Sequence, residues 1–243
     1  MKPFVLLGTR DHDKAAGDEY ESVRRHAGLA AEELIQIRVE AGPLRQLRLD
    51  DYSGVFLGGG PFNVSDAVKS DLQLRVEADL RGVVDQIVDA DFPFLGMCYG
   101  IGTVTAHLGG TVDRTYGEGL GAVEVTLTPE AADDPLLAGV PASFEAFVGH
   151  KEACNGVPPG VTLLATGTTC PVQMYRYGAN VYVTQFHPEL DVESLAQRMA
   201  IYRHAGYFHP DDYTALVEMA RRSGVRDHPH RLLRNFVSHY ARD

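Results

Sequence analysis

The sequence predicts an α/β fold, built on a doubly wound, mostly parallel sheet with helices on both faces. Short apolar runs at 4–7, 34–39 and 55–57 are typical of strands that are buried on both sides. Helical patterns at about 15–30 and 64–90 lie between and after these runs. Strands that alternate with helices in this way form a parallel sheet whose crossovers cover both faces.

The same alternation continues along the first half of the chain. Gly28 ends the first helix and Gly58 stops the third strand. A fourth strand at 93–97 passes directly into a helix at 99–108. The long helix at 64–90 carries apolar residues at intervals of three and four, namely Val68, Leu72, Val76, Leu80, Val83 and Ile87.

The second half of the chain is richer in strands. Apolar and polar residues alternate with period two at 123–127 and in parts of 161–166, 172–177 and 180–186. This alternation predicts β-rich additions at the edge of the sheet. From residue 191 the pattern is helical, and Pro210 and Pro229 divide it into three helices. Because no linker or repeat interrupts the chain, we expect one flavodoxin-like domain over 1–243, with a helical C-terminal extension at about 191–243.

The charge balance narrows the class of partner. The 243 residues include 22 Lys and Arg against 33 Asp and Glu, which gives a formal charge of −11. Such a surface repels polyanions, so we expect no nucleic-acid partner. The apolar run at the N-terminus is too short for a signal peptide, and no run is long enough to cross a bilayer. We therefore expect a cytoplasmic protein without a membrane partner.

Cys98 occupies the junction where a strand turns straight into a helix. The segment 96–100 reads Gly-Met-Cys-Tyr-Gly, and glycine two residues to either side lets the neighbouring backbone pass closely. Serine hydrolases hold their nucleophile in a similar elbow, and the helix N-terminus favours a thiolate. The alternative is an ordinary buried cysteine. The other cysteines, Cys154 and Cys170, have no base nearby in sequence and are interpreted as structural.

A base and its orienting group stand together at the end of another strand. Phe186-His187-Pro188-Glu189 follows the apolar run at 181–186. The residue before a proline is extended, and residues i and i+2 of an extended segment project to the same side. His187 and Glu189 can therefore meet, as a thiol nucleophile requires of its base. The alternative is a surface His-Pro turn, which is much less expected beside a cysteine elbow.

The third strand ends in Gly58-Gly59-Gly60-Pro61. Acyl transfer needs backbone N–H groups aimed at the developing oxyanion, and glycine permits conformations that present them. We assign one donor to Gly59 or Gly60 and the other to the N–H of Tyr99. A phosphate-binding loop is disfavoured because no Gly-Lys-Ser/Thr follows, whereas a plain strand-end turn stays open.

Together these segments resemble the class I (triad) glutamine amidotransferase family, over most of residues 1–190. The similarity is closest to stand-alone members related to the glutaminase domain of GMP synthase. The resemblance implies that the Cys98 thiolate attacks a side-chain amide, His187 protonates the departing ammonia and water cleaves the thioester. It implies that Glu189 orients the imidazolium, and it implies no cofactor.

The resemblance also suggests substrate-binding residues. Val148-Gly149-His150-Lys151-Glu152 resembles a family loop that lines the glutamine pocket, although His150 is equally interpreted as a structural histidine. Many members carry glutamine four residues after the nucleophile, where this chain has Gly102. The loss of polar contacts there leaves open a γ-glutamyl substrate other than free glutamine.

Family members usually pass ammonia to an acceptor site on a synthetase domain or partner, and no such domain is visible in the sequence. A catalytically weak or partner-activated regulatory subunit is therefore the main alternative function. A PfpI/DJ-1-like cysteine protein is a third, although it does not require the Phe-His-Pro-Glu segment. The acidic chain with its helical tail is compatible with a homodimer.

No metal site is expected. The histidines of the tail lack HExxH spacing, and His228-Pro229-His230 is interpreted as a solvated helix start.

Overall fold

A computed structural model describes residues 1–44, 46–204 and 208–243. The strands in the described part are β1 (Phe4–Gly8), β2 (Leu34–Arg38), β3 (Val55–Leu57), β4 (Phe94–Met97), β5 (Val112–Asp113), β6 (Glu118–Leu127), β7 (Ser143–His150), β8 (Ala153–Cys154), β9 (Val161–Gly167), β10 (Met174–Tyr177) and β11 (Val181–Thr184). The α-helices there are α1 (Asp13–Ala27), α2 (Asp71–Ala90), α3 (Tyr99–His107), α4 (Val192–Ile201), α5 (Tyr213–Arg222) and α6 (His228–Tyr240).

Nine of the described strands form one sheet, in the order β2-β1-β3-β4-β11-β10-β9-β6-β7. The five strands from β2 to β11 run parallel, and the four from β10 to β7 continue the sheet antiparallel. The predicted fold class, a parallel α/β sheet with a β-rich edge, is confirmed. The prediction for 180–186 was wrong in one respect, because β11 pairs with β4 inside the parallel sheet instead of at its edge.

The alternation of side chains in β1 explains its unbroken apolar run. Phe4 and Leu6 pack on the face covered by α1 and α6, whereas Val5 and Leu7 pack on the face covered by α2 and α3. Successive side chains of a strand point to opposite faces, so a strand between two helical layers must be apolar at every position.

The long helix begins later than its periodicity predicts. Ser70 caps α2, and its side chain accepts a hydrogen bond from the N–H of Gln73 at 3.1 Å. Residues 64–70 therefore lie outside the helix, and Val68 is 90% exposed. The apolar spacing continued by chance through this loop, whereas the capping serine sets the boundary.

The C-terminal helices are packed into the body of the protein. Phe236 of α6 is fully buried, with its ring centroid 5.8 Å from that of Phe4 and 5.0 Å from that of Phe56. His230 was wrongly predicted to be solvated. It is buried, its ring stacks on His26 and its Nδ1 bonds the carbonyl oxygen of Pro188 at 2.7 Å. The end of the chain thus supports the loop that carries His187.

None of the helices in the described ranges is long and apolar enough to cross a bilayer.

Two leucines of α2 test its orientation. Leu80 is fully buried, whereas Leu74 on the same helix is 53% exposed. Leu80→Ala should lower the free energy of unfolding by about 2–5 kcal/mol, because it leaves a cavity in the core. Leu74→Ala should change it by less than about 0.5 kcal/mol. Urea denaturation measures both, and equal losses would contradict this placement of the helix.

Candidate active site

Cys98 lies in a strained turn between β4 and α3. Its φ of 54° and ψ of −90° place a non-glycine residue in the left-handed half of backbone space, which costs energy and is typical of functional turns. The turn is held by a bond from the N–H of Cys98 to the carbonyl of Thr184 at 2.8 Å. A Cβ on Gly96 would lie only 3.1 Å from the backbone of Gly100. The glycine at 96 is therefore required by close backbone approach.

The structure brings Cys98, His187 and Glu189 together. Nδ1 of His187 lies 2.8 Å from Oε1 of Glu189, and the thiol of Cys98 is close enough to the same ring to help raise its pKa. His187 and Glu189 are almost fully buried, whereas Cys98 is partly accessible. The backbone N–H of His187 donates to the carbonyl of Phe147 in β7 at 2.9 Å, which fixes the base against the antiparallel part of the sheet.

Burial and the neighbouring charges act in opposite directions on the ionisation of His187 and Glu189. Burial alone would lower the pKa of His187, but the charges of Glu189 and Cys98 outweigh burial and raise it to about 9. Burial likewise opposes ionisation of Glu189, yet the nearby charges of His187 and Arg198 hold the pKa of its carboxyl well below the usual range. The imidazole is therefore stabilised as a cation next to the thiol.

The predicted oxyanion glycines lie against these side chains. A Cβ on Gly59 would lie 2.9 Å from Nη2 of Arg10, 3.1 Å from Cε1 of His187 and 3.7 Å from Cβ of Cys98. A Cβ on Gly60 would collide with Oγ1 of Thr9, which donates a bond to the carbonyl of Gly59 at 3.2 Å. A side chain at Gly60 is therefore excluded by Thr9, and one at Gly59 would press on the buried Arg10 and on the ring of His187. The N–H of Tyr99 opens α3, so the helix itself offers it no acceptor.

A buried charge network behind the triad was missed by the sequence analysis. Nη1 of Arg198 lies 3.0 Å from Oε1 of Glu189 and 3.3 Å from Nδ1 of His187. Nε of Arg10 donates to Oε1 of Glu19 at 2.8 Å, and that oxygen lies 3.8 Å from Nη2 of Arg198. No local motif marks these residues, because they come from the end of β1, from α1 and from α4.

A cavity of about 400 Å³ opens above Cys98 and His187. Gly149 and His150, predicted to bind substrate, line it together with Gly60. Gly102 is not among the described residues of its lining, although it was predicted to bind substrate. Atoms of Glu152 and Val64 lie 3.4 Å from the position of a Cβ on Gly102.

Glu152 occupies the room beside Gly102. Its two carboxylate oxygens accept the N–H groups of Val64 and Ser65 at 2.7 and 2.8 Å. A glutamine at 102 would have to share this space with Glu152. The space that a longer side chain at 102 would need is therefore bounded by Glu152 and Val64.

His150 is the centre of a second polar cluster beside the cavity. Its Nε2 lies 3.0 Å from Oε2 of Glu118, and its Nδ1 bonds the carbonyl of Glu152 at 2.8 Å. Gln173 donates to Glu118 at 2.8 Å. Ligand atoms of Glu118, His150 and Cys170 lie within 4.8 Å of one another. A metal ion there would have to displace the bond between His150 and Glu118, so the contacts favour a structural role.

A cysteine at a strand-to-helix elbow, beside an imidazole that a carboxylate holds, is the arrangement of thiol-dependent acyl-transfer enzymes. A family model described as "Glutamine amidotransferase class-I" matches residues 17–201. The chain therefore belongs to the class-I glutamine amidotransferase family. The function predicted from the sequence, hydrolysis of a glutamine amide with transfer of ammonia, is confirmed at the level of the family.

Curated relatives are named GMP synthases. The chain is 27% identical over 188 residues to the glutamine-hydrolyzing GMP synthase of Streptomyces coelicolor, covering 76% of this chain but 33% of that protein. It is 26% identical to a subunit of the glutamine-hydrolyzing GMP synthase of Thermococcus kodakarensis, covering 61% of this chain and 72% of the relative. The chain thus spans about a third of the Streptomyces protein and most of the Thermococcus subunit.

Solved structures share the whole fold. A glutamine amidotransferase from Thermotoga maritima superposes with a TM-score of 0.77 over 99% of this chain and 98% of its own, at 21% identity. One from Methylobacillus flagellatus gives 0.73 over 100% and 97%, at 16% identity. At such identities the likeness establishes the fold, which reaches from the first strand to the C-terminal helices.

The ionisation of His187 can be measured directly. Replacing Glu189 with Gln removes the negative charge that raises the pKa of His187, so the pKa should fall from about 9 by at least about one unit. NMR titration of labelled histidine rings, assigned with His187→Ala, measures this change. Glu193→Gln, at an exposed position of α4, is the control. If Glu189→Gln left the titration unchanged, Glu189 would not set the charge of the base.

Proposed function

We propose that this chain hydrolyses the side-chain amide of glutamine, or of a related γ-glutamyl compound, with Cys98 as nucleophile, His187 as base and acid, and Glu189 as orienting group. The observation that carries the proposal is the strained conformation of Cys98 beside the bonded pair of His187 and Glu189. Such strain persists only where the surrounding structure over-determines it.

The reaction follows from these positions. The Cys98 thiolate attacks the amide carbon, so that a bond from sulfur to carbon forms and the carbonyl electrons move to the oxygen. The N–H groups of Gly59 or Gly60 and of Tyr99 stabilise this oxyanion. When the intermediate collapses, the carbon–nitrogen bond breaks and the imidazolium of His187 gives its proton to the departing amine.

Water then completes the cycle. His187, now neutral, accepts a proton from water as the water oxygen bonds to the thioester carbon. The carbon–sulfur bond breaks, which releases the γ-carboxylate and regenerates Cys98 and the protonated imidazole. Glu189 keeps the ring oriented through both half-reactions, because its Oε1 accepts from the N–H at Nδ1, and Arg198 donates to the same oxygen of Glu189.

A second candidate function is that of a glutaminase subunit that becomes active only with a synthetase partner. The observation in its favour is that several relatives are named as single subunits of GMP synthase. This chain matches about two thirds or more of the length of each of these relatives. The two functions differ in one measurable property, the release of ammonia by the isolated chain. Substantial glutamine hydrolysis without a partner supports the first, and hydrolysis that needs an added synthetase supports the second.

The nucleophile is tested with 6-diazo-5-oxo-norleucine, a glutamine-shaped electrophile. We expect intact mass spectrometry to show a single adduct on the native chain and none on Cys98→Ala. The buried Cys154 and Cys170 serve as internal controls, because burial raises the pKa of their thiols to about 11 and about 12. An adduct that persists in Cys98→Ala would remove Cys98 from the proposed role.

The base is tested by substitution. His187→Ala removes both proton transfers, so kcat/KM for amide hydrolysis should fall by at least about a thousandfold. His239→Ala, at an exposed position of α6, is the matched control and should retain activity. Activity that survives in His187→Ala would favour a cysteine protein that does not use the Phe-His-Pro-Glu segment.

A further inference from the structure

The loop that carries the predicted oxyanion donors leaves the sheet at Gly58. The N–H of Gly58 donates to the carbonyl of Leu7 in β1 at 3.0 Å, which extends the pairing of β1 with β3 by one residue. Within the described ranges, no further backbone bond joins Gly59 or Gly60 to another residue. The sheet therefore stops supporting the backbone just before the two residues that are expected to meet the oxyanion.

The side chain of Thr9 supports the loop where the backbone pairing ends. Oγ1 of Thr9 donates to the carbonyl oxygen of Gly59 at 3.2 Å. The same Oγ1 occupies the place that a Cβ on Gly60 would need. Thr9 is fully buried at the end of β1. A buried hydroxyl thus sets the direction of one carbonyl and lies in close contact with the next residue.

The bond from Thr9 fixes the orientation of one peptide unit. The carbonyl of Gly59 and the N–H of Gly60 belong to the same planar trans peptide, so they point in opposite directions. Because the oxygen points toward Thr9, the N–H of Gly60 points away from it. Thr9 is absent from the described lining of the cavity, whereas Gly60 and Cys98 both line it. Of the residues that the structure describes, none accepts a hydrogen bond from this N–H.

A peptide between two glycines needs such an anchor. Glycine has no Cβ and populates φ of either sign, so the peptide between Gly59 and Gly60 meets little steric resistance to turning over. The reversed peptide would present the carbonyl oxygen of Gly59 where an N–H is needed, and this oxygen would repel a developing oxyanion. Backbone donors stabilise the transition state most when they are held in place before the charge develops.

We propose that Thr9 is a positioning residue for the oxyanion hole. Its hydroxyl holds the peptide between Gly59 and Gly60. The N–H of Gly60, together with that of Tyr99, then meets the oxyanion that forms when Cys98 attacks. Thr9 itself touches neither the substrate nor the reacting atoms. The inference rests on the proposed function of Cys98, and it selects Gly60 over Gly59 as the donor.

Two reactions of Cys98 separate positioning from general structural support. Hydrolysis of glutamine passes through an oxyanion, whereas alkylation of the thiolate by iodoacetamide displaces iodide at a saturated carbon and forms none. Thr9→Val removes the hydroxyl and keeps the branched shape. We expect kcat for hydrolysis by the complete chain to fall at least about tenfold, because loss of one oxyanion donor costs roughly a hundredfold or more. KM, and the rate of alkylation followed by intact mass, should each stay within about threefold.

A conservative variant and a matched control complete the comparison. Thr9→Ser restores the hydroxyl, so kcat should return to within about threefold of the native value. Thr128→Val removes an equivalent bond, from a threonine hydroxyl to the carbonyl of Leu163 at 2.7 Å, in the antiparallel part of the sheet. This control should leave both reactions unchanged.

Three results would overturn the role of Thr9. The first is a native kcat in Thr9→Val. The second is an equal loss of hydrolysis and alkylation in that variant, which would show a merely structural role. The third is a Thr9→Ser variant that is as slow as Thr9→Val.

The inference and the proposed function fail in different ways. If the native chain and Thr9→Val hydrolyse glutamine equally well, the inference is overturned and the proposed function stands. If the diazo compound labels Cys98 but the isolated native chain releases no ammonia, Thr9 does not hold the loop ready for catalysis. The inference is then overturned, while Cys98 keeps its role as nucleophile. If the native chain is neither labelled nor active, both proposals fail.

Discussion

The bond between His187 and Glu189 is the interaction on which the rest of the site depends. It is buried at the end of β11, and a bare imidazolium there would carry a large desolvation penalty. Glu189 offsets that penalty and, with the thiol of Cys98, reverses the effect of burial on the pKa of His187. The positions of both residues follow from β11 being the parallel neighbour of β4. The strand pairing that closes the parallel sheet therefore also assembles the nucleophile with its base.

A buried carboxylate in turn needs compensation, and the fold supplies it from several elements. Arg198 of α4 contacts Glu189, Arg10 and Glu19 form a second pair beside them, and Ser22 of α1 donates to the backbone carbonyl of Glu189. Removing one partner of such a network leaves an uncompensated charge, which is costlier than replacing the whole pair. The helices on this face of the sheet therefore compensate the buried charges of the site as well as packing on the core.

The sequence alone predicts the parts of the site that are local. The elbow at Cys98, the pairing of His187 with Glu189 and the glycines at 59 and 60 each follow from a few adjacent residues with a recognisable physical demand. Arg10, Glu118 and Arg198 could not be predicted in the same way, because each acquires its partners only through the tertiary fold. The start of α2 was misplaced for a related reason: apolar spacing passed through Val68, and the cap at Ser70 decided the boundary. The single-domain arrangement over 1–243, the homodimer and the cytoplasmic location stay predictions.

The glycine at 102 and the carboxylate of Glu152 depend on one another. Glu152 fills the space beside Gly102 and ties down the backbone at 64–65, so a longer side chain at 102 would have to displace one of these contacts. Gly102 is absent from the described lining of the cavity, whereas Gly149 and His150 are part of it. Contacts that hold a substrate for reaction must therefore come from the residues that do line the cavity above Cys98 and His187.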